Sequence, residues 1–380
     1  YSGKFNTDSL VGEIKQFGYT IPLILTRNKS NKEEEIEEKI SGRPQTPEPP
    51  FDYYTEEIIV KNEKDGINIS GTLTLPTNES TKYPVVILIS GSGSQNRDSE
   101  ILRHKSFAVI ADHLANQGIG SFRYDERGVG KSTGTYDRGG LHGLYSDIEA
   151  CVAQLSTRKN IEKIGLAGHS EGGILAPWYA SEHKKQIDFV IMLAAPGMPI
   201  SEMMPLQRKL QMESVGQSNE AIVKNEELMT KINEVVINNS DTTKTHLLTK
   251  LLTNFAIKSG YPKELVDQFV QSQLFRMDSE IYKDFIQINP STYLQNIKCP
   301  TLVLQGSKDK QVPEKENIEA IKMSLKKRGI CGTAPTYIVY PDMNHLFQPC
   351  ETGNLDEYEK IEITFDRKVL FDMSDFINEL

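Results

Sequence analysis

The sequence has few cysteines, no long apolar run and no excess of basic residues. Four cysteines among 380 residues argue against a disulfide framework, and none forms a Cys-x-x-Cys pair, which argues against a zinc site. No apolar segment approaches the ~20 residues that cross a bilayer. The formal net charge of −9 disfavours nucleic acids and anionic membranes as partners, because both attract basic surfaces. What remains is the composition of a soluble globular protein.

The four cysteines are isolated from one another along the chain. Cys151 occupies an apolar helical position and Cys299 precedes a predicted core strand, so we expect buried thiols at both. Cys331 and Cys350 flank one predicted strand. Two states are open for this pair: a disulfide in an oxidising compartment, or free thiols held too far apart by the strand.

Apolar strands alternate with amphipathic helices along most of the chain. Residues 84–90 are continuously apolar, as in strands buried on both faces of a parallel sheet, and residues 144–158 carry a helical stripe. The alternation predicts an α/β fold with a mostly parallel, doubly wound sheet. It stops at residue 196 and resumes near residue 300. We expect the polar, helical segment between them to cover the carboxyl ends of the strands, where ligands bind.

The same patterns divide the chain into domains. Residues 1–27 are predicted to contain a β-hairpin, the remnant of a small extra domain, and the charged and proline-rich residues 28–50 a linker. Residues 51–196 and 291–380 form the α/β domain, and residues 197–290 its helical cap. Three methionines at the entrance to the cap suit an adaptable apolar substrate pocket: Met198, Met203 and Met204.

Ser170 stands at the centre of a Gly-x-Ser-x-Gly pattern within residues 166–173. An apolar strand precedes this pattern and a helical pattern follows it. A serine at such a sharp turn has a strained backbone and an exposed hydroxyl, and the flanking glycines leave room for close backbone contact. The free N–H groups of the following helix face any negative charge that develops there. The context predicts Ser170 as a nucleophile.

A serine nucleophile needs a base and a third group that orients the base. Asp309 follows one late strand and His345 follows the last strand, so both are expected at the same sheet edge as Ser170. Serine, acid and histidine then occur in the chain order typical of such sites. Asp342 is a competing acid, but it lies only three residues before the histidine, and we prefer Asp309.

The glycine-rich residues 90–98 follow an early strand. They are expected to supply the second N–H group of an oxyanion hole, from Ser92 or Gly93, while Glu171 supplies the first. A flexible turn is the simpler interpretation of this loop. A phosphate-binding loop is a third, but the Gly-Lys-Ser/Thr signature is absent.

Four stretches together resemble a known family. They are Gly91-Ser92-Gly93 with Asn96-Arg97-Asp98, residues 104–107, the Arg-Tyr-Asp-x-Arg-Gly-x-Gly-x-Ser motif of residues 123–132, and the pattern around Ser170. These stretches are similar to stretches of α/β-hydrolase serine esterases. The branch is the bacterial one called dienelactone-hydrolase-like or serine-aminopeptidase-like. The resemblance covers about residues 53–380. It implies ester hydrolysis through an acyl-enzyme without a cofactor or metal. Ser170 departs from true dienelactone hydrolases, which use cysteine.

The resemblance also implies an extra N-terminal β domain and an export signal. Because the sequence begins at Tyr1 rather than Met, we expect that an upstream segment was removed, either a signal peptide or a trimmed end. A periplasmic or cell-surface location is the expectation, and a cytoplasmic one is the alternative.

These observations predict a serine carboxylesterase that acts on small-molecule esters with short to medium acyl groups. A peptidase or an acyl-thioesterase with the same triad is the alternative, because acyl transfer needs the same groups in each case. A non-catalytic binding module would normally lack one triad residue, and none is missing. The oligomeric state stays open.

Overall fold

The computed structural model describes residues 2–6, 9–16, 19–26, 43–77, 82–239, 241–328 and 334–380. Near the N-terminus, three antiparallel strands form a small sheet in the order β1-β2-β3. They are β1 Ser2–Asn6, β2 Ser9–Gln16 and β3 Tyr19–Thr26. The expected hairpin is the β2–β3 pair, with Gln16 opposite Tyr19. Cys331 and residues 28–42, most of the predicted linker, lie outside the described residues.

An eight-stranded sheet forms the centre of the main domain, in the order β13-β12-β11-β10-β6-β9-β5-β4. The first six strands in this order run parallel, and the last two are added antiparallel. The strands are β4 Tyr53–Asn62, β5 Ile67–Pro76, β6 Tyr83–Ile89, β9 Gly120–Tyr124, β10 Ile161–His169, β11 Phe189–Leu193, β12 Thr301–Gly306 and β13 Thr336–Tyr340. A short hairpin, β7 Glu100–Ile101 and β8 His104–Lys105, follows β6.

Helices cover both faces of the sheet, and the sheet separates two apolar clusters, one on each face. The β6 strand is apolar throughout because both of its faces are covered, as expected for the middle of a parallel sheet. One face carries α1 Ser106–Asn116 and α12 Arg367–Asn378, and the other carries α2 Gly140–Ser156, α3 Gly172–Glu182 and α10 Glu314–Lys326. The short α11 spans Leu355–Tyr358. The predicted α/β class and mostly parallel sheet are confirmed.

A helical insertion separates β11 from β12 and contains a third apolar cluster of its own. Its helices are α4 Ile200–Ser214, α5 Asn219–Asn238, α6 Asp241–Lys258, α7 Lys263–Met277 and α8 Glu280–Gln287, followed by the short α9 Ser291–Leu294. The backbone N–H of Ile200 donates to the carbonyl of Ile288 at 2.9 Å, so the two ends of the insertion meet. The helices occupy the segment predicted as a cap, and a cap function for them stays a prediction.

Residues 43–50, the described end of the predicted linker, are attached to the main domain. Arg43 donates to the carbonyls of Leu102, Glu359 and Ile361 at 2.8–3.1 Å. Gln45 exchanges three hydrogen bonds with the backbone around Phe365. Within the described ranges, no helix is both long and apolar enough to span a bilayer.

Candidate active site

Ser170 lies on a sharp turn between β10 and α3. Its φ angle of 53° is in the left-handed region, which is rare for a non-glycine residue. A Cβ atom on Gly168 would collide with the backbone of Gly172, and one on Gly172 would collide with the carbonyl of Ile89. The glycines therefore allow the turn to close, as the sequence pattern predicts. The Ser170 N–H donates to the carbonyl of Leu193 at 2.9 Å, and its side chain is only half buried.

Asp309 and His345 form a buried pair at the ends of β12 and β13. His345 Nδ1 and Asp309 Oδ2 are 2.7 Å apart. The same Asp309 oxygen accepts from Gln305 Nε2 at 2.8 Å, and Oδ1 accepts the N–H groups of Gln311 and Val312 at 2.8 and 2.9 Å. Four hydrogen bonds thus fix the carboxylate, and the carboxylate fixes the imidazole through Nδ1.

Asp342, the competing acid, is directed to the surface instead. Its carboxylate forms an ion pair with Lys308 at 2.7 Å, and its side chain is 71% exposed. The residue has a φ angle of 54°, which places it on the turn that follows β13. The structure therefore brings Asp309, and not Asp342, against His345.

His169 connects the serine turn to the histidine loop, a role that sequence reasoning did not assign. Its Nε2 is 2.9 Å from the backbone oxygen of His345, and the two rings lie 4.6 Å apart. Burial and the neighbouring His345 lower the pKa of His169 to about 3, so its imidazole is neutral. In the described part of the chain, no hydrogen bond joins the Ser170 hydroxyl to His345. Such contacts are often open in unliganded sites and tighten when substrate binds.

Two of the three predicted oxyanion donors keep unused N–H groups. The Gly93 N–H donates to the hydroxyl of Tyr136 at 3.0 Å and is therefore occupied. Among the described residues, no acceptor is hydrogen-bonded to the N–H of Ser92 or of Glu171. The side chains of these two residues meet, because Ser92 Oγ donates to Glu171 Oε2 at 3.0 Å. The geometry favours Ser92 over Gly93 as the second donor.

Glu171, which follows the serine, and Glu126 are two buried carboxyl groups that lie near each other. Burial raises the pKa of Glu171 to about 7, and the hydrogen bond from Ser92 opposes this shift. Burial also raises the pKa of Glu126 well above its ordinary value, and the nearby Glu171 carboxyl adds to the shift. Glu126 Oε2 accepts the N–H of Gln95 at 2.8 Å, so it supports the loop that carries Ser92. Sequence reasoning assigned no role to either side chain.

The loop of residues 123–132 is held by ion pairs of two arginines, Arg97 and Arg127. Arg97 donates to both Asp125 oxygens at 2.9–3.2 Å, and Arg127 donates to both Asp147 oxygens at 2.8 and 2.9 Å. Arg127 also reaches Asp65 at 2.7 Å. Asp125 and Arg127 therefore brace the loop through these contacts.

The three methionines at the start of the insertion occupy different environments. Met203 is 2% exposed and packs inside the main core. Met198 and Met204 are partly buried against that core, and Met204 also contacts the core of the insertion. A pocket-lining role stays a prediction for all three methionines.

The insertion is attached to the loop that carries Tyr136. The Asp137 carboxylate accepts the N–H groups of Glu280 and Ile281, both at 3.1 Å, at the start of α8. In return, Glu280 Oε2 accepts the N–H of Gly139 and Asp284 Oδ2 accepts that of Leu141, both at 2.9 Å. Four hydrogen bonds therefore connect α8 to the start of α2. No group of three or more potential metal ligands occurs among the residues described.

The chain has an α/β-hydrolase fold, with a nucleophile-elbow turn and an acid–histidine pair at the carboxyl edge of its sheet. It belongs to the serine aminopeptidase S33 family, whose sequence profile matches residues 103–347, more than half of the chain. This confirms the resemblance that the sequence motifs indicated.

Known esterases are similar to this chain. Esterase EstD of Thermotoga maritima is 26% identical over 300 residues, which are 78% of this chain and 62% of EstD. The chain therefore spans less than two thirds of that relative. Two solved esterases share the fold at 16% identity: Pf2001 of Pyrococcus furiosus (TM-score 0.53, covering 86% of this chain and 91% of that one) and Est1E of Butyrivibrio proteoclasticus (TM-score 0.50, covering 85% and 96%).

Proposed function

We propose that this protein hydrolyses carboxylic esters of small molecules, with short to medium acyl groups, through an acyl-enzyme on Ser170. The observation that carries the proposal is the buried Asp309–His345 pair beside a serine held at positive φ on the elbow. Ser170 is the nucleophile, His345 the base and Asp309 the group that orients the imidazole.

The first half of the reaction forms the acyl-enzyme. Ser170 Oγ attacks the ester carbonyl carbon, and its proton passes to His345 Nε2. Asp309 accepts the Nδ1–H bond and stabilises the imidazolium. The carbonyl oxygen becomes an oxyanion that the N–H groups of Ser92 and Glu171 receive. The intermediate collapses, the C–O bond to the alcohol breaks, and His345 returns the proton to the leaving oxygen.

The second half of the reaction releases the acid. Water attacks the acyl carbon while His345 Nε2 takes its proton, and a second oxyanion forms at the same place. Collapse breaks the bond to Ser170 Oγ, which recovers the proton from His345. No cofactor enters either half.

The test is turnover of p-nitrophenyl acetate and butyrate by the wild type and by Ser170→Ala. We expect burst release of p-nitrophenol from the wild type and a loss of about 10⁴-fold or more in the variant. Ser201→Ala, an exposed serine on α4, is the matched control and should keep wild-type rates. Equal rates for the wild type and Ser170→Ala would refute the assignment.

A peptidase activity is the second candidate, and the name of the family, serine aminopeptidase, favours it. The triad serves amide and ester bonds alike, so only the substrate separates the two. A panel of acyl esters, acyl-thioesters and aminoacyl anilides at equal concentration would rank them by kcat/KM. We expect esters to lead. Aminoacyl anilides turned over faster than every ester would reverse the order.

A further inference from the structure

The two sides of the proposed oxyanion hole are joined by one side-chain hydrogen bond. The N–H of Ser92 lies on the loop after β6, and the N–H of Glu171 lies on the elbow after β10. The Ser92 hydroxyl donates to Glu171 Oε2 at 3.0 Å, which bridges the two loops. Glu171 therefore contributes to the site twice, through its backbone N–H and through its carboxyl group.

The Glu171 carboxyl lies in an environment that favours its neutral form. The residue is 2% exposed, and Ser92 supplies its one hydrogen bond among the described residues. Two titratable groups face it from other elements: Glu126, on the loop after β9, and Tyr136, on the loop before α2. Burial raises the pKa of both groups, which favours their neutral forms beside Glu171. No cation faces Glu171 within this described set.

We propose that the Glu171 carboxyl is a positioning residue for the oxyanion hole, and that it acts in its protonated form by holding the Ser92 loop against the elbow. This inference rests on the ester hydrolysis proposed above. A neutral carboxyl keeps the bridge to Ser92 and places no charge beside the developing oxyanion. An ionised carboxylate would repel that oxyanion, and its burial leaves little solvent to screen the repulsion.

The proposal predicts a specific pH dependence. The imidazole of His345 must be neutral to act as base, so kcat/KM rises from low pH. Ionisation of Glu171, with its pKa raised to about 7 by burial, then lowers kcat/KM by about tenfold toward pH 9 in the wild type. In Glu171→Gln the amide keeps a donor and an acceptor but cannot ionise. This variant should lose the alkaline decline, and at pH 6 its kcat should exceed that of Glu171→Ala.

The control is Glu182→Gln, the same change at the exposed C-terminal end of α3, the helix that Glu171 precedes. This variant should reproduce the pH profile of the wild type. Glu171→Ala removes the bridge, so kcat should fall about 10- to 100-fold at every pH while KM changes little. Ser92→Ala keeps the backbone N–H and removes the hydroxyl. It should lower kcat in the same way and move the alkaline decline to higher pH, because the Ser92 bond opposes the upward shift of the Glu171 pKa.

The readouts separate this inference from the proposed function. Rates are measured with p-nitrophenyl acetate from pH 5 to 9, and labelling of Ser170 by a fluorophosphonate probe is followed by intact mass. If neither turnover nor labelling depends on Ser170, the proposed function fails and the inference fails with it. If the wild type is active and Glu171→Gln shows the same alkaline decline, the inference alone is overturned. Wild-type kcat in Glu171→Ala would also overturn it.

Discussion

Asp309 and Glu171 are both buried carboxyl groups beside the proposed nucleophile, yet their surroundings differ. Asp309 accepts four hydrogen bonds, three of them from its own loop and strand. Glu171 accepts one and lies near a second carboxyl group, Glu126. Hydrogen-bond donors stabilise a carboxylate, whereas burial without them favours the neutral acid. The number of donors, more than the depth of burial, thus distinguishes the two carboxyl groups, and burial with a single donor raises the pKa of Glu171 to about 7.

The largest expected effect comes from removing the charge on the Asp309 side. Asp309→Asn keeps the shape of the side chain but presents an amide to His345, so the imidazole loses the orientation needed for proton abstraction. We expect kcat to fall about 10⁴-fold. The measurement is steady-state p-nitrophenyl ester hydrolysis. Asp342→Asn is the matched control and should change kcat less than twofold, because Asp342 pairs with Lys308 at the surface. A larger loss in Asp342→Asn would reverse the choice of acid.

The raised pKa of Glu171 also makes the free energy of unfolding depend on pH. The pKa of Glu171 is about 7 in the folded chain and 4.5 in its ordinary state. Its contribution to stability is therefore complete below pH 4.5 and is lost as pH rises through 7, a change of about 3 kcal/mol. Urea unfolding at pH 5 and pH 8 should show the free energy of unfolding falling by roughly that amount more in the wild type than in Glu171→Gln. Parallel slopes in the two proteins would contradict the assigned protonation state.

A smaller effect is expected at Tyr136, whose hydroxyl also holds the loop that carries Ser92. Tyr136→Phe removes the acceptor of the Gly93 N–H, which costs about 1 kcal/mol of stability and about tenfold in kcat. Tyr145→Phe removes a hydroxyl that bonds to Glu182 on the far side of α3, and it serves as the control. Thermal unfolding and ester hydrolysis check both variants. If the two substitutions lower kcat equally, Tyr136 does not hold the loop specifically.

Sequence periodicity predicted most of the main domain. The strand ends placed Ser170, Asp309 and His345 at one edge of the sheet, because parallel strands connected by helices share that edge. The start of α2 was predicted four residues late, at residue 144. Its first turn begins at Gly140 in a left-handed conformation, where Asp284 of the insertion accepts the N–H of Leu141. Local helix propensity could not predict this start, because the hydrogen-bond partner of Leu141 lies 143 residues away.

The contacts that shape the site also escaped prediction, for the same physical reason. The bridge from Ser92 to Glu171 joins residues 79 apart, and the contact of His169 with His345 spans 176. Neither leaves a periodic trace in the sequence, since each depends on how strands from different parts of the chain are ordered in the sheet. For the methionines, residue type alone suggested a pocket, and the sequence did not indicate that Met203 would be buried in the main core.

The junction between Asp137 and α8 bears on how this fold can be redesigned. Asp137 holds the first turn of α8, and the adjacent Tyr136 accepts the N–H of Gly93. Two adjacent residues therefore hold two different parts of the structure: Asp137 holds the insertion, and Tyr136 holds the loop that carries Ser92. Replacing the helices of the insertion would therefore also disturb the loop that carries Ser92, unless the replacement supplies its own helix N-terminus to Asp137.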